Sequence, residues 1–269
     1  MGLLIIRLLS IINTEKLDSI MFHIANTLLD NYALISEKSI SEMAQIANVS
    51  KSTMSKFARQ IGFDDYYDLK DNAGFVENRF GNELNYLTNI HSKLEDNQIA
   101  AYFQAIQKDI ETLEKTISKE AINRFANYLR EYQKIGAFGL LFSESAAIDF
   151  QYKLAYKGKF IRTFQNELRQ HEYIRNADEE TLLIVFTNSG NYLRKEQLRV
   201  GTPDKNLFSH SKGKIIAISS DERVTQLPYV ADTILFPHVT DFQTHQFLFQ
   251  IVMDLIVAKY GQLMNEEKN

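Results

Sequence analysis

Beyond Lys134 the sequence breaks into five short apolar runs, IGAFGLLF, KFIRTF, TLLIVFT, KIIAIS and DTILFP, separated by helical stretches such as ESAAIDFQYKLAYKG and TDFQTHQFLFQIVMDLIVAKYG. A strand wetted on one face alternates apolar and polar residues, whereas a continuous apolar run needs cover on both faces. Helices between successive strands supply that cover and make the strands run parallel. This half is therefore expected to be a five-stranded parallel sheet in an α/β/α sandwich. In such sheets ligands sit beyond the carboxyl ends of the strands, where the strand order reverses.

Two of those strand ends carry hydroxyl-rich loops. Ser143 and Ser145 follow the first run, and Thr187, Ser189 and Gly190 in TNSGN follow the third, each set leading into a helix. Hydroxyls and free amides at a helix N-terminus suit an anion, and the helix dipole favours phosphate. Each hydroxyl could equally serve as a simple helix cap.

The stretch SISEMAQIANVSKSTMSKFARQIGF, Ser39 to Phe63, has a different texture. Ser39 with Glu42 forms a capping box. Ile40, Met43, Ala44 and Ala47 then fall on one helical face, Asn48 tolerates the left-handed turn that ends it, and Ser50 caps a second helix. In that second helix Met54, Phe57, Ala58 and Ile61 repeat the apolar spacing, and Gly62 supplies a stop. The opposite face carries Ser52, Ser55, Lys56 and Arg59, with Lys51 and Thr53 near its start and no acidic residue between Ser50 and Gly62. A helix-turn-helix offers such a helix to the major groove, where Lys and Arg meet phosphates and guanine edges. A solvated helical hairpin has the same apolar spacing.

The net charge is −4, so any affinity for nucleic acid has to come from this local face rather than from the bulk charge. With no cysteine, the chain has neither disulfides nor thiolate chemistry. Its 269 residues allow two domains. The opening MGLLIIRLLSII has Arg7 inside the apolar run and no cleavage signal, and it is too short to span a bilayer. It is expected to be an amphipathic helix packed on a neighbour or on a second copy, in a cytoplasmic protein without a membrane partner.

The segment from Ser39 to Lys70 resembles the DNA-binding part of the RpiR/MurR family of bacterial transcription regulators, through Val49-Ser50, Thr53, Gly62-Phe63 and Leu69-Lys70. The preceding helix is expected to turn Leu17, Ile20, Ile24 and Leu28 inward. The resemblance implies a DNA-binding set of Ser50, Lys51, Ser52, Thr53, Ser55, Lys56 and Arg59. Residues 108–269 resemble the sugar isomerase (SIS) domain, a phosphosugar-binding module carried by these regulators. Its Gly-x-Gly-x-Ser motif lines up with Gly139 to Ser143, with Leu141 at the second Gly. Its Ser-x-Ser-Gly-x-Thr motif lines up with Thr187 to Tyr192, with Tyr192 in place of Thr. The implied effector set is Ser143, Ser145, Thr187, Ser189, Gly190 and Ser219.

The expected organisation is a helix-turn-helix domain over 1–76, a helical connection over 77–107 and an SIS-like domain over 108–269. Along the connection Ile99, Phe103, Ile106, Ile110, Leu113 and Ile117 share one side, and FLFQIVMDLIVAKY near the end suits a buried or subunit-contact helix. The expected partners are double-stranded operator DNA, a phosphosugar or related metabolite, and a second copy in a homodimer or tetramer. Glu144, His171, Glu172 and His245 could act as bases by type, with His171 and Glu172 also readable as a polar helix surface, but no spacing defines a dyad. No metal spacing, Walker loop or full dinucleotide fingerprint occurs, so neither a cofactor nor a metal is expected. The leading expectation is a regulator and not an enzyme. The alternatives are a phosphosugar isomerase, or a regulator with a degenerate pocket acting mainly in dimerisation.

Overall fold

The computed structural model describes residues 3–73, 99–194 and 206–266. These fall into two compact units, residues 3–73 and residues 99–194 with 206–266. Of the expected connection, residues 77–98 lie outside the described residues, and 99–107 begin a helix of the second unit.

The first unit is all-helical, with α1 Leu3–Thr14, α2 Ile20–Asp30, α3 Tyr32–Ile35, α4 Ile40–Ile46, α5 Lys51–Gln60 and α6 Tyr66–Asp71. Leu4, Leu8 and Ile11 of α1 are buried, and α1 packs on α2. Only part of the expected inward face of α2 faces inward. Ser19 caps this helix through the Phe22 amide, so Leu17 precedes the first turn and is 80% exposed. Ile20 is also exposed, and the buried stripe is Ile24, Ala25 and Leu28.

Both ends of the α4–α5 pair close as the residues dictate. Ser39 and Glu42 form the reciprocal capping box, with the Ser39 amide donating to Glu42 Oε2 at 2.9 Å. Those bonds from the Ser39 amide and hydroxyl, with Lys38, hold the Glu42 carboxyl down at about 2. Asn48 takes φ +49, and the Val49 amide returns to the Ala44 carbonyl, a Schellman ending. α5 ends the same way: Gly62 takes φ +89 and the Phe63 amide bonds to Ala58.

A second device finishes α5. The buried Arg7 side chain of α1 donates from Nη1 to the Ile61 carbonyl at 3.1 Å, placing a cation at the negative end of the helix. A Cβ on Gly62 would stand 2.8 Å from that guanidinium, so the glycine provides clearance as well as its left-handed turn.

The second unit is an α/β sandwich. Its helices include α7 Ile99–Thr116, α8 Lys119–Glu131, α9 Phe142–Ala155, α10 Glu167–Arg175, the short α11 Asn191–Arg194 and α12 His245–Glu266. Its strands are β1 Lys134–Phe138, β2 Thr181–Thr187, β3 Lys214–Ser219 and β4 Val230–Leu235, all parallel, in the order β1-β2-β3-β4. Alternate residues feed two cores. Ile135, Ala137, Leu182, Ile184, Phe186, Ile216 and Ile218 meet α8, α9 and α12. On the other face Phe138, Leu183, Val185, Ile215 and Ala217 meet Ile174, Tyr192, Phe208 and Val224. β2 is buried at every residue.

Four strands are formed among the described residues, not the five expected. The run KFIRTF makes only a single bridge, Arg162 to Gly136, through two 2.8 Å bonds with Ile135 and Ala137. Its residues alternate, with Ile161 buried and Phe160 71% exposed, so it does not meet the two-sided burial that a full strand there requires. It still lies along the edge of β1 opposite β2. The order therefore reverses between β1 and β2, which makes the carboxyl ends of these two strands the switch point.

α7 divides the stripe that the sequence placed on one side. Ile99, Phe103 and Ile110 are exposed, whereas Leu113 is buried together with Ala105 and Asp109. Asp109 fixes this rotation. Fully buried, it accepts from the Val239 amide at 3.0 Å and from the hydroxyls of Thr240 and Thr244, tying α7 to the segment ahead of α12. α12 is long and apolar enough to cross a bilayer, yet it places Leu248, Phe249, Val252, Met253 and Ile256 in the core beside the sheet.

Arg7→Ala should lower the unfolding free energy by about 1.5–3 kcal/mol, the usual range for a hydrogen bond to a charged group. Urea denaturation followed by helical signal checks this: the midpoint falls and the slope stays unchanged.

Candidate functional site

The outward face of α5 is the first candidate surface. Met54, Phe57 and Ala58 anchor the helix, and this fixes which residues point out. Lys51, Ser52, Lys56 and Arg59 are exposed, while Thr53 and Ser55 are half-exposed. Ser50 caps the helix through the Thr53 amide at 3.1 Å and also bonds the Thr53 hydroxyl at 2.8 Å, so both are partly engaged in capping. Arg59 donates to Ser55 at 3.1 Å. Among the described residues no carboxylate pairs with Lys51, Lys56 or Arg59, and that leaves three cations available to an external anion.

The second candidate lies at the carboxyl edge of the sheet, where the loops after β1 and β2 run side by side. Gly139 has no room for a side chain: a Cβ there would sit 2.5 Å from the Ser143 carbonyl oxygen, so the first turn of α9 rests directly on the β1 loop. Ser143 is buried, whereas Ser145, two residues on and so on the other side of the helix, is exposed. In the β2 loop Thr187 is buried, Ser189 is half-buried and accepts from the Asn191 amide at 3.4 Å, and Gly190 takes φ +69. Ser219 lies wholly inside. Its hydroxyl donates to the Asn188 carbonyl at 3.3 Å and accepts the Asp221 amide at 3.1 Å, so it links the β2 and β3 loops. The bonds described for Ser219 are thus within the protein, while Ser143, Thr187, Ser189 and Gly190 share the switch-point edge.

The two departures from the SIS motifs have distinct physical outcomes. Leu141 sits at the N-cap of α9 with φ +56 and ψ −118, a conformation natural to glycine and strained for a branched side chain. Tyr192 leaves the loop altogether. It is buried, and its hydroxyl donates to Gln170 Oε1 at 2.8 Å, while Gln170 Nε2 donates to the Gly139 carbonyl at 3.1 Å and the Phe164 carbonyl at 2.7 Å. The residue that replaces the motif's threonine thus clamps the β2 loop to the β1 loop from beneath. Burial, with the nearby Glu167 and Glu144 carboxyls, pushes the Tyr192 hydroxyl well above its ordinary range.

Charged groups that the motif comparison does not single out border this edge. Glu144, half-buried in the first turn of α9, is pushed up to about 8 by desolvation. His171 is fully buried, 3.5 Å from Glu167 Oε1 and stacked on Tyr192, whereas Glu172 is exposed, so these neighbours do not form a polar helix surface together. Arg194 Nη2 donates to the Ser189 carbonyl at 2.8 Å, Asn191 Oδ1 at 3.0 Å and Asp221 Oδ2 at 2.9 Å. Burial raises the Asp221 carboxyl, but the bonds from Arg223 and the charges of Arg194 and Arg223 outweigh it and hold the group below its usual range. Position was the available signal for these residues: Arg194 follows Gly190 by one helical turn, and Asp221 stands just beyond the end of β3. His245, pushed down to about 4 by burial and by His238, belongs instead to the Asp109 cluster. No group of three metal-ligating side chains occurs among the described residues. A cavity of about 590 Å³ opens at the opposite, amino edge of the sheet, between Lys134, Phe164, Tyr173 and Asp178. The Lys134 ammonium there is already paired with Asp178 and Glu180, at 2.6 and 3.1 Å.

Residues 7–72 match the helix-turn-helix domain of the rpiR family. Over 279 aligned residues, covering 94% of this chain and 92% of the relative, the protein is 30% identical to the HTH-type transcriptional regulator in the aarA 3′ region of Providencia stuartii. HexR, an HTH-type transcriptional regulator of Pseudomonas aeruginosa, is 24% identical over 65% of this chain and 61% of its own. The solved structure of Vibrio vulnificus NanR complexed with ManNAc-6P superposes with a TM-score of 0.50 over 98% of this chain and 94% of NanR, at 14% identity, a likeness of fold.

Two expected outcomes follow from the geometry at α9. Leu141→Gly should be more stable than Leu141→Ala by roughly 1 kcal/mol, because both lose the side chain and only glycine relaxes at positive φ. Paired thermal melts decide it, and the reverse order would remove the strain. Glu144 keeps its proton in the folded state while the unfolded chain releases it, so stability falls as pH rises from 4.5 towards 8. Glu144→Gln should therefore lose less melting temperature between pH 5 and pH 8 than the wild type does, and an equal loss would contradict the raised value.

Proposed function

Because the chain belongs to the rpiR family of helix-turn-helix transcriptional regulators, we propose that it controls carbohydrate metabolism by binding operator DNA through α5, and that a phosphosugar held at the β1–β2 edge modulates this binding. The observation that carries the DNA half is the outward face of α5, where Lys51, Lys56 and Arg59 stand exposed without carboxylate partners among the described residues. Ser52 and Ser55 let a phosphate or base edge approach closely beside them. Lys and Arg at such positions contribute both phosphate affinity and base readout.

The effector half rests on the switch-point edge. Ser143, Ser145, Thr187, Ser189, Gly190 and Ser219 are its proposed polar set, with Ser143, Ser189 and Gly190 nearest to the paired loops and Ser219 acting as a tie between them. NanR, whose fold this chain shares, was solved with a sugar phosphate, which makes a phosphorylated sugar the chemistry to test first. The protein acts in the cytoplasm as a dimer or tetramer, because helix-turn-helix proteins read two half-sites. The exposed Ile99, Phe103 and Ile110 stripe on α7 offers an apolar surface for that association.

An isomerase reading draws on Glu144. A carboxyl pushed up to about 8 suits a hydrogen bond to a sugar oxygen and equally a general acid or base near neutral pH, so it favours neither reading by itself. The two relatives named as transcriptional regulators make regulation the better reading.

One titration tests both halves. Fluorescence anisotropy with DNA from upstream of the protein's own gene should show at least tenfold weaker binding for the double variant Lys56→Ala/Arg59→Ala, with a salt dependence shallower by about one to two phosphate contacts. Wild-type affinity in that variant would overturn the assignment of α5. Repeating the wild-type titration with a panel of aldose and amino-sugar 6-phosphates should change operator affinity severalfold for at least one compound, and no change across the panel would overturn the effector.

A further inference from the structure

Among the described residues the candidate edge contains a partly shielded cationic group, Arg194, already occupied by an internal anion. A Cβ on Gly190 would stand 3.4 Å from Arg194 Nε, 3.1 Å from Asp221 Oδ2 and 2.7 Å from Val224 Cγ2. The bare backbone of the β2 loop therefore faces the Arg194–Asp221 pair directly. Arg194 is largely shielded, with its side chain 21% exposed, and the Asp221 side chain is 9% exposed. Among the described residues the Arg194 head makes three hydrogen bonds, all from Nη2, and its buried Nε has no partner. A guanidinium engages an anion best through two parallel donors, and this one presents a spare donor beside the glycine.

The charges point the same way. Asp221 is gripped by two arginines at once, with Arg223 Nε 2.8 Å from Oδ1 and Arg194 Nη2 2.9 Å from Oδ2. Two cations on one carboxylate leave a net positive charge beside the Ser189–Gly190 loop. Because Arg223 and its own amide both stay on Asp221, releasing Arg194 would not strand a carboxylate without partners. The exchange therefore avoids the penalty of a lone shielded charge.

We propose that Arg194 is the phosphate-recognising residue of the effector site and that Asp221 is its resident stand-in, displaced when a phosphate monoester binds against Gly190. This assignment rests on the effector reading above and adds to it the charged residue that discriminates a phosphorylated sugar from the free sugar. It accounts for a cation in a site whose motifs have lost one glycine and one threonine, at Leu141 and Tyr192. Asp221 also caps the 3₁₀ turn Glu222–Gln226 through the Arg223 amide, so the exchange is felt first by that turn and by Val224 packed on Gly190.

The test uses the full chain and calorimetric titration at constant ionic strength, with inorganic phosphate, the 6-phosphate panel and the matching unphosphorylated sugars. Arg194→Gln should weaken the best phosphorylated binder at least tenfold. Asp221→Asn, which keeps the cap but removes the competing charge, should tighten it severalfold. Neither variant should alter the response to unphosphorylated sugars. Wild-type affinity in Arg194→Gln, or weakening in Asp221→Asn as large as in Arg194→Gln, overturns the assignment while leaving the effector reading intact. No binding of any phosphorylated compound by the wild type overturns both. If Arg194→Gln fails to fold, the direction of the Asp221→Asn change decides alone.

Discussion

A strand with apolar side chains on both faces has one stable environment, between two layers of other elements, and β2 is such a strand from Thr181 to Thr187. The architecture of the α/β unit follows from that need. Cover on both faces calls for helical crossovers, crossovers make neighbouring strands parallel, and parallel strands bring their carboxyl ends to one edge. The edge then has a single place where the chain winds in opposite directions. Here it lies between β1 and β2, because the Arg162 segment takes the far side of β1. The hydroxyl loops sit at this point because the crossovers leave the chain nowhere else to reverse.

Polar groups inside the unit are arranged to make that edge a single body. Gln170 reaches the carbonyls of Gly139 and Phe164 with its amide and receives the Tyr192 hydroxyl, so the loops after both strands are joined through one side chain. Ser219 and Ser220 do the same between the β2 and β3 loops, both donating to the Asn188 carbonyl. Buried hydrogen-bonded networks of this kind are costly to break in part.

Much of this was legible in the sequence, and the gaps have physical causes. The caps at Ser39, Ser50, Asn48 and Gly62 are local chemistry, and the α4–α5 pair follows them closely. The apolar face of α5 read correctly because its periodicity is strong, and α12 read as a buried helix because it is apolar nearly all round. KFIRTF was misread because a short run with Lys159 and Arg162 in it has enough apolar content for a strand, but its alternation leaves Phe160 in solvent. The α7 stripe was legible as one side of a helix, but its division between solvent and core was not, because that depends on the buried Asp109. Leu141 and Tyr192 were visible as departures, but the turning of the Tyr192 hydroxyl towards Gln170 depends on contacts 22 residues apart. Arg194 and Asp221, separated by 27 residues, meet only in three dimensions.

On the proposed reading of α5, the contact between Arg7 and the Ile61 carbonyl limits how this protein could acquire a new operator. Positions 51, 52 and 56 look outward and can diversify one at a time, while 55 and 59 are joined by a hydrogen bond. Position 62 is not free to diversify, because any side chain there is strained at φ +89 and would push the guanidinium away from the helix end. Such a change has to be matched at position 7, so related regulators with altered endings to this helix should carry paired replacements at the two ends of the domain.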